Sequence, residues 1–227
     1  MHMNALGIFV KQPIPGHVKT RLAADVGTDR AAALYAAFTE DVVNRFRGVA
    51  DRRLLCHTPG DEPACDHFRG LGSRDYELWQ QPEGPLGERL DRFFGDAFDA
   101  GAERVVAIGS DSPTLPSFLI TEAFESLVEN DCVIGPATDG GYYLIGQSER
   151  HRPLFDHIDW SQPTVLRQTI AQMESVSALP ALLMPWYDVD TVDDLELLRG
   201  HIAAMRAAGE SISVPKTESC LVKLNDS

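Results

Sequence analysis

Apolar positions along the chain recur with two periods that alternate. "ALGIFV" (5–10) is a short apolar run closed by Lys11 and two prolines, the pattern of a buried strand opening into a loop. The polar loop gives way to residues 30–47, where Leu34, Phe38, Val42 and Phe46 recur at i, i+4 and predict a helix with one apolar face. "RRLLCH" (52–57) predicts a second strand, the Pro-, Gly- and Asp-rich stretch 59–75 a loop with room for a short helix, and "YELWQQ" (76–81) a third strand. Residues 87–101 return to helical spacing through Leu90, Phe93, Phe94 and Phe98, with Gly101 placed to stop the helix.

"RVVAIGSD" (104–111) is apolar and β-branched and ends in polar residues, as a central parallel strand does at its carboxyl end. Pro116 suits the first turn of a helix running to about residue 130. "DCVIGPA" and "GYYLIG", separated by "TDG", predict two further strands. A helix near 163–174, a strand near 179–184 and a helix over about 191–208, capped by Thr191, complete one domain spanning 1–209. Residues 210–227 are polar with no clear period and read as a tail. Strands and helices alternating in this way imply an α/β fold, a mostly parallel sheet covered on both faces, with ligands at the carboxyl ends of its strands. Three loops at predicted strand ends, 11–21, 110–114 and 136–141, carry most of the suggestive chemistry.

Composition narrows the class. At 227 residues, 44% hydrophobic and 24% charged, the chain suits one sizeable core. No apolar run approaches the roughly 20 residues of a bilayer span, and Lys11 and Pro13 interrupt the N-terminal run before it can read as an export signal. Cys56, Cys65, Cys132 and Cys220 show no CxxC spacing, so a soluble protein in a reduced, cytoplasmic setting is expected. A net charge of −14 argues against nucleic acid or a membrane surface as partner. Residues 1–24 nevertheless contain no Asp or Glu, while Lys11, Lys19 and Arg21 form a local cationic patch suited to a small anion.

The motifs sharpen this. "GHVKT" has Val18 where a phosphate-binding P-loop needs glycine, and no GxGxxG follows the first strand. What remains is a cation-rich loop in which Lys19 offers a point charge and Arg21 a two-pronged grip, a pairing that suits a diphosphate. Asp111, in "IGSDSPTL", is either a hard oxygen ligand for Mg²⁺ or Mn²⁺ or a turn and helix cap. Asp188 and Asp190, in "YDVDTVDDL", share a face if the segment is extended, and could close a cation site from the other side or form a solvated edge. In "GPATDGGYYLIG", Gly140 and Gly141 allow close backbone approach beside Asp139, although Asp-Gly is also a strong hairpin signal. The seven histidines form no zinc motif, and no GxSxG elbow is present.

In order along the chain, "FVKQPIPGHVKTRLA", "GPLGERL", "IGSDSPTL", "GPATDGGYYLIG", "WSQPTVLRQT" and "DVDTVDDL" resemble the transferase family labelled radical-SAM/selenodomain-associated, over about residues 5–200. That family is similar to GT-A type nucleotide-diphospho-sugar transferases, with 2-phospho-lactate guanylyltransferase and the molybdenum-cofactor guanylyltransferase among its nearer relatives. The resemblance implies a three-layer α/β/α sandwich with a mixed sheet, and a nucleotide over its N-terminal half. It implies that Lys11, Lys19 and Arg21 meet phosphates, with Pro15, Gly16, Thr20, Leu86, Gly87, Glu88, Arg89 and Ser110 on the nucleotide side. Asp111 would bind Mg²⁺ or Mn²⁺ with Asp190 as second ligand and Asp188 in reserve. Asp139, Gly140, Gly141, Tyr142 and Trp160 would face the sugar or acceptor.

Three departures stand out: Pro85 within "GPLG", where the family often has "GDLG"; Gln162 in place of a small hydroxyl residue; and the missing glycine-rich loop of sugar nucleotidyltransferases. The implied activity is metal-dependent transfer from a nucleotide-activated donor. Glycosyl transfer is favoured, with Lys19 and Arg21 stabilising the leaving diphosphate and Asp139 activating the acceptor. Nucleotidyl transfer and a non-catalytic nucleotide-binding role are the alternatives.

Overall fold

The computed structural model describes residues 3–210 and 213–225. Seven strands form one sheet: β1 (Asn4–Lys11), β2 (Arg52–Thr58), β3 (Glu77–Gln80), β4 (Arg104–Ile108), β5 (Cys132–Pro136), β6 (Tyr142–Gln147) and β7 (Pro180–Leu182). Their spatial order is β3-β2-β1-β4-β6-β5-β7. Every neighbouring pair is parallel except those made by β6, which runs against both β4 and β5. The sheet is mostly parallel, as the alternating pattern predicts, and mixed, as the family resemblance implies.

The strands alternate in the way that burial on both faces requires. In β1, Leu6, Ile8 and Val10 enter one core while Ala5 enters the other; in β4, Val106 and Ile108 oppose Val105 and Ala107. The first core is closed by α3 (Glu62–Gly72), α5 (Ser117–Ser126) and the C-terminal half of α2 (Thr28–Arg45). The second is closed by α4 (Leu86–Asp99), α6 (Val165–Ser175) and a 3-10 turn at Arg152–Phe155. Gly7 is required at the centre of β1, because a Cβ there would lie 2.3 Å from the Phe93 ring.

A third cluster, through Leu22, Leu34, Phe38, Val189, Leu195 and Leu221, joins α1 (Thr20–Val26), α2, α7 (Val192–Ala207) and α8 (Pro215–Asn225). Two of these helices differ from the sequence reading. α1 begins inside the stretch expected as a loop, so Thr20 and Arg21 are helical. α8 occupies most of the stretch expected as a tail. Val214 just before it and its own Thr217 and Leu221 are buried at helical spacing, with Leu224 packed beside them, and Asp41 of α2 accepts the backbone N–H groups of Lys216 and Thr217 at 3.2 and 2.8 Å. Smaller shifts concern ends: β4 stops at Ile108, leaving Asp111 in the following turn, and α5 runs from Ser117 to Ser126, with Pro116 just before it. Among the described residues no helix is long and apolar enough to cross a membrane.

Candidate active site

The carboxyl ends of β1 and β4 lie side by side, and because β6 is antiparallel its first residue emerges at the same end. The loop 137–141, which joins β5 to β6, therefore sits over the end of β4. Segment 186–190 arrives from β7 and is pinned there: Thr138 N donates to Trp186 O at 3.1 Å, and Val189 N donates to Asp111 O at 3.0 Å. Val189 is fully buried, which turns Asp188 and Asp190 together to the opposite side, as the two-residue spacing predicts.

The result is a cavity of 720 Å³ whose walls include Arg21, Asp111, Asp139, Gly141, Tyr142, Trp160, Asp188 and Asp190. A smaller, mostly apolar pit of 280 Å³ opens beside it under Phe9, Leu86, Leu90 and Ile145 and shares Asp111, Tyr142 and Asp188. A further cavity of 670 Å³ lies across Trp160 and Gly87, among exposed side chains of both signs, and contains none of Asp111, Asp139, Asp188 and Asp190. The chemistry is concentrated in the first.

Lys19 departs from its expected placement. Its side chain is only 3% exposed, and its ammonium is salt-bridged to Asp111 and, at 2.7 Å, to Asp190. Burial works against the charged form, but the two carboxylates outweigh it and hold the lysine well above its ordinary pKa. Arg21, 66% exposed, donates to the other oxygen of Asp190 at 2.5 Å. Burial pushes Asp190 up, yet Lys19 and Arg21 prevail and its carboxyl stays below the usual range.

Asp188 makes no such pair. It accepts a hydrogen bond from Ser112 Oγ at 2.5 Å, and burial followed by repulsion from Asp111 pushes its carboxyl up to about 7. Four aspartates thus face two cations: Asp111 and Asp190 are ion-paired, and Asp188 and Asp139 have only neutral hydrogen-bond partners.

The remaining expected residues divide into wall and scaffold. Tyr142 and Trp160 form an edge-to-face aromatic wall, with centroids 6.5 Å apart. Asp139 Oδ1 accepts the Gly141 N–H at 2.9 Å, so this carboxylate builds the turn as well as facing the cavity. Gly140 has φ +92 and no room for a Cβ, which would fall 2.4 Å from Pro163 O.

Ser110, expected on the nucleotide, is fully buried, and its hydroxyl is engaged by Phe9 O and Tyr35. Lys11 folds back on His17 O at 2.7 Å, bracing the loop in which Pro15 and Gly16 are exposed; Thr20, at the start of α1, is exposed as well. Arg89 ties Gly84 O to Gln81; Gly87 packs against Phe155 and Trp160; Glu88 is exposed. Sequence reasoning passed over Ser112 and Tyr35. Ser112 sits beside Asp111 in a quoted motif, whereas the Tyr35 ring, 5.8 Å from the Lys19 ammonium, is hidden in the apolar pattern of α2.

The donor set fits a divalent cation of the Mg²⁺ kind, which takes one or two carboxylates together with substrate oxygens. Asp111 and Asp188 are hard oxygen donors of which Asp111 is engaged by Lys19 alone and Asp188 by no cation, whereas Asp190 is already engaged by two cations. Among the described residues, three ligand atoms approach within 4.8 Å only at Asp131, Glu149 and His151, which lie before β5 and after the antiparallel β6, at the end of the sheet opposite this cavity. A cage made wholly of protein ligands is therefore not what the cavity offers.

Comparison with known proteins agrees with the fold. Residues 43–162, more than half of the chain, match the family model described as "Uncharacterized protein conserved in bacteria (DUF2064)". The chain belongs to that family. A "putative nucleotide-diphospho-sugar transferase" from Desulfovibrio desulfuricans G20 is 38% identical over 87% of each chain, with a TM-score of 0.83. A nucleotidyl transferase from Methanothermobacter thermautotroptrophicus (13% identity, 90% of this chain and 100% of that one, TM-score 0.61) shares the fold. So does a 4-diphosphocytidyl-2C-methyl-D-erythritol synthase from Anaerococcus prevotii (11% identity, 89% and 96%, TM-score 0.60). No curated protein matches in sequence. These likenesses show a fold shared with nucleotide-using transferases.

Proposed function

We propose that this DUF2064 protein transfers a glycosyl group from a nucleotide-diphospho-sugar to a small acceptor, with Mg²⁺ or Mn²⁺ held by Asp111 and Asp188. The observation that carries this reading is the unequal pairing of the two acidic residues on segment 186–190: Asp190 is neutralised by Lys19 and Arg21, and Asp188 has only a hydroxyl partner. The 38% identical relative supports the donor class. The kinship with radical-SAM/selenodomain-associated transferases and 2-phospho-lactate guanylyltransferase belongs to the same reading and rests on the six ordered segments.

The expected assignment of Asp190 as second metal ligand is revised accordingly in favour of Asp188. A divalent ion bound there would supply charge neutralisation for the leaving diphosphate. Arg21, at the cavity lip, grips phosphate oxygens, and Lys19 keeps Asp111 and Asp190 in register behind it. Tyr142 and Trp160 offer flat faces to a sugar ring, and water is displaced as that ring seats on them. The free Oδ2 of Asp139 is the base for the acceptor hydroxyl.

Nucleotidyl transfer is the second reading. It is favoured by the engagement of Asp139 Oδ1 in its own turn, since attack by an acceptor phosphate needs no carboxylate base. The two separate in a binding screen of UDP-, GDP-, ADP- and CDP-sugars and the four nucleoside triphosphates, with and without Mg²⁺ or Mn²⁺. Metal-dependent binding of one sugar nucleotide, lost in Asp111→Ala, is the outcome expected for glycosyl transfer. Preference for a triphosphate moves the assignment to nucleotidyl transfer, and binding of neither class refutes both.

A further inference from the structure

Lys19 occupies the position in which a cation between Asp111 and Asp190 would sit. Its backbone is in the left-handed region, φ 48 and ψ 45, immediately before α1, a conformation that a lysine adopts at a cost. That conformation directs the side chain inward under the cavity instead of out to solvent. The ammonium is then enclosed by Asp111, Asp190 and the face of the Tyr35 ring.

The carboxylates are themselves held. Asp190 N donates to Asp194 Oδ2 at 3.0 Å within the capping box that starts α7, Asp190 Oδ2 is bound by Arg21, and Asp111 is tied through its carbonyl to Val189 N. A buried ammonium with two fixed carboxylate partners is a counter-ion in a built socket, unlike a surface lysine whose head stays in water. Asp111 belongs to this socket and also to the Asp111–Asp188 pair that fits a divalent ion. Two positive charges drawn to one carboxylate repel each other, so the ammonium and a free divalent cation compete for Asp111.

We propose that Lys19 is a resident counter-ion that keeps free divalent cations out of the ligand-free site, so that metal enters together with the phosphates of the nucleotide. The added negative charge of those phosphates offsets the repulsion between ammonium and metal. This rests on the nucleotide-transferase reading for its purpose, but not for its test. Lys19 is a positioning residue here, acting through Asp111.

The test is titration of Mn²⁺ alone, with no nucleotide, into wild type, Lys19→Met and Lys19→Arg, read by calorimetry and by the electron-spin signal of free Mn²⁺. Thermal melts check that each variant is folded. Wild type is expected to bind Mn²⁺ only in the millimolar range, Lys19→Met at least tenfold more tightly, and Lys19→Arg as weakly as wild type. Micromolar binding by wild type overturns the proposal even if Lys19→Met fails to fold, and so does a folded Lys19→Met with unchanged affinity. Failure of every nucleotide to bind would instead defeat the transferase reading and leave these metal-only results standing on their own.

Discussion

Asp188 and Asp190 are two residues apart, face one cavity and share the effect of burial, yet differ in their charge partners and in the direction their carboxyls shift. On the Asp190 side a buried lysine and an exposed arginine meet one carboxylate, which is held below its ordinary pKa. On the Asp188 side a carboxyl faces Asp111 with only Ser112 to satisfy it and is pushed up to about 7. The lesson is that acidic residues in one motif are not interchangeable candidates for a metal. The side already neutralised serves as framework, and the side left without a cation partner is where a cation or a proton has most to gain.

Substitutions can break this contrast. Asp111 belongs to both sides, so Asp111→Ala is expected to lower transfer activity by about 10³-fold, equivalent to roughly 4 kcal/mol of barrier; a steady-state assay with the donor found by the binding screen measures it. Asp190→Asn strips a carboxylate from a buried ammonium and should destabilise the fold by roughly 1–3 kcal/mol, less than a fully buried pair because Asp190 is 31% exposed. Urea unfolding would show it, and an unchanged midpoint would mean that the Lys19 socket carries no stability.

The Asp188 side predicts a pH dependence of the opposite kind. In the folded protein its carboxyl keeps a proton up to about 7, whereas in the unfolded chain it releases that proton near 3.8. Between those values the folded state binds more protons, so metal-free protein should lose roughly 1–3 kcal/mol of stability as pH rises from about 4 to 7. Asp188→Asn should flatten that slope. The smallest effect expected is on the capping box beside Asp190: Thr191→Ala removes the hydroxyl that accepts the Asp194 N–H and should cost about 1 kcal/mol in thermal unfolding.

Much of the architecture could be read from the residues because strand and helix periods differ and the chain obeys both. β1, β4 and β5 are short apolar runs with polar ends, and α2 and α4 show apolar faces at i, i+4. α8 escaped because its face is completed by Thr217, a polar residue that is buried, and because its N-terminus is satisfied by Asp41, 176 residues before Thr217. The cavity was legible as a set of residues: Arg21, Asp111, Asp139, Tyr142, Trp160, Asp188 and Asp190 all line it.

Their pairing was not legible. That Lys19 turns inward to Asp190, 171 positions away, depends on a left-handed backbone at a non-glycine residue, which no local pattern announces. The burial of Ser110 likewise depends on Tyr35 reaching across from α2.

The most direct test of the central claim is the affinity for Mn²⁺ measured by calorimetry in the presence of the nucleotide that binds, in wild type, Asp188→Asn and Asp190→Asn. The account predicts a loss of about 10–100-fold or more for Asp188→Asn and a clearly smaller loss for Asp190→Asn. Mn²⁺ binding that survives in Asp188→Asn and disappears in Asp190→Asn would contradict it, returning Asp190 to the metal and Lys19 to the phosphates.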